Sequence, residues 1–218
     1  MSITPPIKWH GGKTYLAKWI QSLAPKHTHR VHVFGGGLGE FWNWPHEGVS
    51  EVVNDVYDML SNLWRVLQDE QFFADFKRLV EAIPMSQAEW MWRGFDLEQA
   101  RVELPDVNTA VAFFVRVRQS RQGLMKDFAT LSRNRTRRGM NEQVSSWLTA
   151  VEGLPEVHER LKRVVILNED FERVIRSQDG PETLFYLDPP YMHETRTAKD
   201  AYTHEMSVEQ HGDLLTLL

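Results

Sequence analysis

The segment Asp188-Pro189-Pro190-Tyr191 combines residue types that could act on an amine, and it directly follows an apolar run at residues 184–187. The two prolines fix the backbone and carry no amide hydrogen, so the polar groups left at this turn are carbonyl and carboxylate acceptors. Acceptors bind the hydrogens of an amine, and Tyr191 adds an aromatic face on which a flat ring can stack. The alternative interpretation is an ordinary turn that ends a strand.

An amine attached to an aromatic ring is a poor nucleophile, because its lone pair is delocalised into the ring. Two acceptors held by the protein, the Asp188 carboxylate and the Pro189 carbonyl, would bind both hydrogens and favour a pyramidal nitrogen with a localised lone pair. This arrangement would stabilise a transition state with preorganised dipoles and align the nitrogen with the methyl group of a sulfonium donor. The exocyclic amine of adenine, once the base has left the duplex, is such a substrate. The segment therefore predicts methyl transfer to N6 of adenine.

A glycine turn, Phe34-Gly35-Gly36-Gly37, follows the apolar run Val31-His32-Val33. Glycines at the end of a parallel strand let the backbone approach a nucleotide-like ligand without side-chain obstruction, although such a turn is as often purely structural. Two familiar phosphate-binding patterns are excluded by spacing. Gly12-Lys13-Thr14 resembles the end of a P-loop, but the first glycine of that motif would fall at Ile7, and the glycine turn does not fit the dinucleotide pattern.

Two acidic residues follow other apolar runs. Asp55 comes after Glu51-Val52-Val53, at a position where an acid can accept hydrogen bonds from ribose hydroxyls. Alternatively, Asn54 or Asp55 caps the helix that follows. Asp170 comes after the run at 164–167 and could accept a hydrogen bond from the adenine of a cofactor, with Phe171 packed on the same ring. A capping aspartate beside a core phenylalanine is the alternative for this second pair.

One segment is strongly basic, although the whole chain has a formal net charge of -5. Between positions 116 and 138, eight positive side chains stand against one negative side chain, Asp127, which gives a local balance of +7. The eight are Arg116, Arg118, Arg121, Lys126, Arg133, Arg135, Arg137 and Arg138. A solvated charged loop has this composition, but the concentration of charge in one segment favours contact with nucleic acid.

The elements that must position these residues alternate between strands and helices. Apolar runs predict strands at 30–34, 50–54, 163–167 and 183–187. The long interval between the second and third strands has helical spacing, and Ser86 with Glu89 predicts a capping box at the start of one of its helices. The pattern predicts an α/β fold in which a parallel sheet carries a helical insertion.

Composition narrows the class of protein. With 218 residues and 42% hydrophobic content the chain can enclose one sizeable core, and we expect a single elaborated domain. The chain has no cysteine and its nine histidines are scattered, so we expect no metal site. The sequence shows no secretory signal and no apolar stretch of about 18 residues, and we therefore expect a soluble, cytoplasmic protein without a membrane partner.

Four motifs, taken in order, resemble those of Dam-like DNA adenine methyltransferases from bacteria and their viruses. Pro5-Pro6-Ile7-Lys8-Trp9-His10-Gly11-Gly12-Lys13 is similar to the N-terminal cofactor segment of that family, and the glycine turn is similar to its glycine motif. Asn54-Asp55 is similar to its ribose-binding acid, and Asp188-Pro189-Pro190-Tyr191 to its catalytic motif. The resemblance spans essentially the whole chain.

The resemblance implies a Rossmann-like methyltransferase sheet that binds S-adenosylmethionine and acts on double-stranded DNA. The residues assigned to the cofactor are Trp9, Lys13, Phe34, Gly35, Gly36, Gly37, Asp55, Asp170, Phe171 and Asp188. Those assigned to catalysis are Asp188, Pro189, Pro190 and Tyr191. We expect a catalytic domain at 1–55 and 160–218, and a helical insertion at 56–159 that includes the DNA-recognition segment 119–140. Relatives continue with further strands beyond the position of Leu218, so we expect a sheet truncated at its C-terminus.

These observations predict methylation of adenine N6 in DNA, in a restriction–modification or bacteriophage setting. Two alternatives stay open. One is a methyltransferase acting on another amine, in cytosine, RNA or protein, and the other is an inactive DNA-binding fragment of such an enzyme. Aspartate at position 188 favours adenine, because the related motifs for cytosine and glutamine commonly begin with serine or asparagine.

Overall fold

Four parallel strands form the central sheet in the computed structural model, which describes residues 2–98, 100, 105–192 and 205–218. The strands are β1 (His29–His32), β2 (Ser50–Asn54), β5 (Val164–Leu167) and β6 (Thr183–Tyr186), in the order β5-β2-β1-β6. A two-stranded antiparallel hairpin, β3 (Thr136–Arg137) and β4 (Met140–Asn141), lies between β2 and β5 in the sequence. The four strand predictions are confirmed to within two residues, and so is the α/β class.

The order of the strands creates a switch point beside β1. Strand β2 pairs with one edge of β1 and β6 pairs with the other, both in parallel. In open parallel sheets, ligands bind outside the carboxyl ends of the strands at such a point. The register pairs His32 with Tyr186, so the glycine turn after β1 and Asp188 after β6 leave the sheet side by side. The fold therefore brings the two most informative motifs to one edge.

Most helices lie between β2 and β5 in the sequence. They are α2 (Asp58–Gln68), α3 (Glu70–Ala82), α4 (Gln87–Glu98), α5 (Val107–Arg118), α6 (Glu142–Glu152) and α7 (Leu154–Leu161). The remaining helices of the described residues are α1 (Ala17–Leu23), α8 (Phe171–Gln178) and α9 (Val208–Leu217), with short 3-10 turns at Thr14–Leu16 and Arg121–Gly123. Across the described ranges, no helix is both long and apolar enough to cross a membrane.

Helix α5 is the centre of the helical block. Its apolar residues run almost without interruption from Ala110 to Val117, and a helix that is hydrophobic all round must be covered on every side. Asp106 begins it by accepting the amide hydrogen of Thr109 at 2.5 Å. Within the block, the Phe114 ring lies 5.5 Å from that of Trp147. The helix therefore serves as the buried axis around which its neighbours pack.

The sheet separates two hydrophobic clusters, because successive side chains of a strand point to opposite faces. Val53 of β2 belongs to the main core, which also contains the helical block together with Ile7 and Leu38. Val52 belongs to the second core, where it meets Phe171 of α8 and Leu214 of α9. The helical block thus shares one core with the sheet.

A buried ion cluster ties β1, β2 and α7 together. Glu51 is 2% exposed, and its carboxylate accepts hydrogen bonds from Arg30 and from Arg160, the latter at 2.7 Å. Burial alone would raise the pKa of Glu51, but the two guanidinium groups hold it below its ordinary value of 4.5. The three side chains therefore form a charged unit inside the fold.

The predicted capping box at Ser86 is half correct. The Ser86 hydroxyl accepts the amide hydrogen of Glu89 at 3.4 Å, as the box requires. The Ser86 amide donates instead to Oε1 of Gln119 at 3.0 Å. A tertiary contact has therefore replaced the second hydrogen bond of the box.

Candidate active site

The glycine turn is crowded by neighbouring atoms. The Gly35 amide donates to the Asn54 carbonyl at 2.7 Å, and a Cβ on Gly35 would stand 2.9 Å from that oxygen. Gly36 has a φ of +50°, a region that favours glycine. A Cβ on Gly37 would lie 2.3 Å from the Cβ of Trp9. The turn needs glycine because Trp9 packs directly on its backbone.

Asp55 holds this turn from the end of β2. Its Oδ2 accepts the Gly36 amide hydrogen at 2.7 Å, and its Oδ1 accepts that of Tyr57 at 2.9 Å. Helix α2 begins at Asp58 with Tyr57 at its cap position and no side-chain cap bond, so Asp55 is not its N-cap. A carboxylate oxygen can accept more than one hydrogen bond. Asp55 can therefore stabilise the glycine turn and still bind a hydroxyl.

A cavity of about 340 Å³ opens beside the turn, at the lower end of the range for small-molecule sites. The sequence-predicted residues that line it are Trp9, Phe34, Gly36, Asp55, Lys126, Asp170, Phe171 and Pro190. Among the described residues, the others assigned to the cofactor or to catalysis are not part of its lining, and they are Lys13, Gly35, Gly37, Asp188, Pro189 and Tyr191. The cavity thus collects residues from the N-terminal segment, the segments that follow all four strands of the sheet, and the basic segment.

Several lining residues were missed by the sequence analysis. His10 and Tyr57 adjoin predicted residues, so their neighbours carried a usable signal. Met125 comes from the basic segment, and Gln210 from α9. Neither of these two belongs to a motif, and only the fold brings them to the cavity.

Asp170 and Phe171 have structural roles as well as lining the cavity. Asp170 caps α8 by accepting the Glu172 amide hydrogen at 2.9 Å. Phe171 is 7% exposed, and its ring centroid lies 5.8 Å from that of Phe34. The capping aspartate and core phenylalanine of the sequence alternative are present, and the same two residues face the cavity.

The 188–191 segment is tied to the N-terminal motif. Lys13 Nζ donates to Asp188 Oδ2 at 2.6 Å and to the Gly11 carbonyl at 2.8 Å. The Tyr191 hydroxyl lies 3.4 Å from Asp188 Oδ1, and its ring is half exposed. Burial would lower the pKa of Lys13, but the hydrogen bond and charge of Asp188 raise it above 10.5. Lys13 therefore contacts the predicted catalytic carboxylate.

For two residues of the basic segment, the predicted contact with DNA requires correction. Arg116 donates to the carbonyls of Trp90 and Met125 at 2.9 and 2.7 Å, and its guanidinium lies over the Trp90 ring. Arg118 is 9% exposed and donates to the Ser146 carbonyl at 2.7 Å, and burial lowers its pKa to about 10. Both side chains connect elements of the helical block, so the structure does not place them on a DNA-facing surface.

The other six basic residues are exposed. They are Arg121, Lys126, Arg133, Arg135, Arg137 and Arg138. Arg138 makes two hydrogen bonds of 2.9 Å to Glu152, and Arg135 lies 3.7 Å from Glu142. These six define the basic surface. Within the described ranges, no three His, Cys, Asp or Glu side chains come together as a possible metal site.

Comparison with known proteins agrees with this geometry. Residues 9–218 match the family described as D12 class N6 adenine-specific DNA methyltransferase. The Type II methyltransferase M1.LlaDCHI of Lactococcus lactis subsp. cremoris is 27% identical over 216 residues, which cover 94% of this chain and 72% of that relative. The family match includes the glycine turn, the cavity lining and the 188–191 segment.

Proposed function

Because the chain belongs to the D12 class N6 adenine-specific DNA methyltransferase family, we propose that its cavity binds S-adenosylmethionine and that the 188–191 segment receives the target base. The activity, methylation of adenine N6 in DNA, follows from the family and the relative. The observation that supports the site assignment is the pairing of His32 with Tyr186, which sets the glycine turn beside Asp188 at the switch point.

The residues around the cavity fit the proposed methyl donor. Gly36 presents bare backbone, and Asp55 offers carboxylate oxygens that can accept from ribose hydroxyls. Phe34 and Phe171 provide aromatic surface for an adenine ring. S-adenosylmethionine, when bound, supplies a methyl group on a positively charged sulfur. Trp9 lines the same cavity and would support the site by packing directly on the glycine turn.

The protein's own contribution to the reaction is to orient the amine. Asp188 Oδ2 is held by Lys13, and Oδ1 is contacted by the Tyr191 hydroxyl at 3.4 Å. A carboxylate oxygen can accept more than one hydrogen bond, so Oδ1 would also accept one hydrogen of adenine N6. The Pro189 carbonyl would accept the other hydrogen of the amine. Neither proline has an amide hydrogen, so the backbone groups that the two prolines present to the amine are carbonyl acceptors. Tyr191 is half exposed beside Asp188, where its ring can stack on a base that has left the duplex.

The basic surface is the proposed contact with double-stranded DNA. Six exposed cations lie within 18 positions of the chain, from 121 to 138, and arginine and lysine contact phosphates or guanine edges. In functional terms, 1–55 and 160–218 would form the catalytic part, and 56–159 the part that contacts DNA. The relative is named a Type II methyltransferase, and we propose that this chain also modifies DNA in a bacterial cytoplasm.

The test is product analysis with a variant of Asp188. The protein is incubated with labelled S-adenosylmethionine and unmethylated duplex DNA, and the DNA is digested to nucleosides. We expect N6-methyladenine from the wild-type chain and none from Asp188→Asn, which should still bind the cofactor and DNA. Label on cytosine, RNA or protein would assign another amine. DNA binding without cofactor binding in calorimetry would identify a DNA-binding fragment.

A further inference from the structure

His211, in the first turn of α9, directs both ring nitrogens at backbone carbonyls. Its Nδ1 lies 2.9 Å from the Ser207 carbonyl of its own helix. Its Nε2 lies 3.0 Å from the carbonyl of Pro190, inside the 188–191 segment. A neutral imidazole donates one of these two hydrogen bonds, and an imidazolium donates both. The bond to Pro190 connects α9 to the proposed catalytic turn.

The helix that carries His211 has a well-fixed start. Ser207 and Gln210 form a complete capping box: the Gln210 amide donates to the Ser207 hydroxyl at 3.1 Å, and the Ser207 amide donates to Oε1 of the Gln210 side chain at 2.9 Å. One turn later, Leu214 is 5% exposed and packs into the second core. His211 therefore projects from a turn that is fixed at both sides.

The 188–191 segment depends on contacts of this kind. Two consecutive prolines supply no amide hydrogen, so the turn is held through its acceptors. Lys13 binds Asp188 at one end, and His211 lies at the Pro190 carbonyl. The Pro189 carbonyl, which is the proposed second acceptor for the target amine, stands between these two contacts. Fixing its neighbours on both sides restricts the direction in which that carbonyl points.

We propose that His211 is a positioning residue for methyl transfer, donating from Nε2 to the Pro190 carbonyl and so orienting the Pro189 carbonyl toward the target amine. This proposal rests on the proposed function of the 188–191 segment. Gln210, the residue before His211, lines the same cavity as Pro190. The helical turn that forms one wall of the cavity therefore also sets the geometry of the proposed amine site.

Three substitutions separate positioning from a general structural role. Gln can place its amide nitrogen near the original Nε2, whereas Asn reaches only the position of Nδ1. We expect His211→Ala and His211→Asn to lower the single-turnover rate about 10- to 100-fold, since a small misplacement of reacting groups has effects of this size. KM for DNA, the Kd for S-adenosylmethionine and Tm should stay near wild type. His211→Gln should recover most of the rate.

Each other outcome has a defined meaning. Wild-type rates for both the Ala and Asn variants would overturn the proposal, because the bond to Pro190 would then be dispensable. Equal loss in all three variants, together with a lower Tm, would also overturn it and leave a structural role. Asp188→Asn is assayed in parallel: if that variant transfers methyl groups as well as wild type, the proposed function of the segment fails first, and the role of His211 with it.

Discussion

Lys13 Nζ lies 2.6 Å from Asp188 Oδ2, although 175 positions separate the two residues in the chain. The contact joins the N-terminal motif to the 188–191 segment and orients the carboxylate through one oxygen. The raised pKa of Lys13 keeps its ammonium charged at neutral pH. The stability gained from this pair is fully present below pH 10.5, the ordinary pKa of lysine. It is lost as the pH rises through the raised pKa of Lys13.

Replacing Lys13 with Met should lower kcat about 10- to 100-fold, because Asp188 loses the group that orients it. The Kd for S-adenosylmethionine should stay near wild type, since Lys13 is not among the described residues that line the cavity. Single-turnover rates and calorimetry measure the two effects, with Lys13→Arg as the charge-retaining control. A large loss of cofactor affinity with an unchanged rate would instead support the cofactor role that the sequence suggested.

Replacing Asp55 with Asn should weaken cofactor binding about 10- to 100-fold, the value of a hydrogen bond to a charged group. The amide would turn an NH₂ group toward the backbone N–H of either Gly36 or Tyr57, where a carboxylate oxygen now accepts. Calorimetry with S-adenosylmethionine measures the loss. Asp58→Asn, an exposed acid three residues away, is the matched control and should bind as wild type does. Equal affinity in both variants would remove Asp55 from the site.

Replacing Gly123 with Ala should be far more damaging than replacing Gly139. Both glycines have left-handed backbone, with φ of +76° and +73°. A Cβ on Gly123 would lie 2.1 Å from the Lys8 carbonyl oxygen, whereas a Cβ on Gly139 would meet nothing within 4 Å. Gly139→Ala should therefore show only the backbone strain of about 1–2 kcal/mol. Gly123→Ala should lower Tm further and weaken cofactor binding, because Gly123 lines the cavity. Similar losses of Tm for the two would contradict the close packing on Lys8.

The edge of the sheet was predictable from sequence because its signals are local. Each strand is an apolar run that stops at a glycine or an acid, and parallel strands bring such ends together. The positions of Gly36, Asp55 and Pro190 around one cavity confirm that logic. The sequence could not predict contacts between residues that lie far apart in the chain. Lys13 with Asp188 and His211 with Pro190 depend on the packed fold, and no motif marks His211.

The basic segment shows a different limit of sequence analysis. A count of charges along the sequence does not take account of the helical period of α5. The last turn of this helix carries Arg116 and Arg118, whose side chains pack within the helical block. Both guanidinium groups donate to backbone carbonyls from other parts of the chain. A buried arginine that donates to carbonyls has no sequence signature separating it from an exposed one. The exposed cations begin at Arg121, where α5 has ended.

This distinction predicts how DNA binding responds to salt. Arg137→Ala should reduce the slope of log Kd against log salt by about 0.9, the value for one lost phosphate contact. Arg118→Met should leave the slope unchanged, because its side chain is buried. Arg163→Ala, an exposed residue of the loop before β5, controls for loss of any surface charge. Titrations of labelled duplex at several salt concentrations give the slopes. An unchanged slope for Arg137→Ala would show that this residue does not contact a phosphate.

The ion cluster around Glu51 predicts a pH-dependent stability. Glu51→Gln would leave Arg30 and Arg160 buried without their anion, and breaking a buried pair of this kind costs about 3–5 kcal/mol. Because the pKa of Glu51 is lowered in the folded state, its contribution to folding stability is fully present above pH 4.5. That contribution is lost as the pH falls through the pKa of Glu51 in the folded protein. Unfolding free energies at neutral pH should therefore differ strongly between variant and wild type, and the gap should narrow in acid.

Glu47→Gln is the matched control, because Glu47 also pairs with an arginine, Arg163, but lies on the surface. Solvent screens that pair, so its loss should change the unfolding curve little at any pH. Denaturant titrations of both variants between neutral pH and the lowest pH at which the wild type stays folded make the comparison. The difference in unfolding free energy between Glu51→Gln and wild type could instead stay constant down to that pH. Glu51 would then not titrate over this range, and the two guanidinium groups would not depend on its charge as proposed.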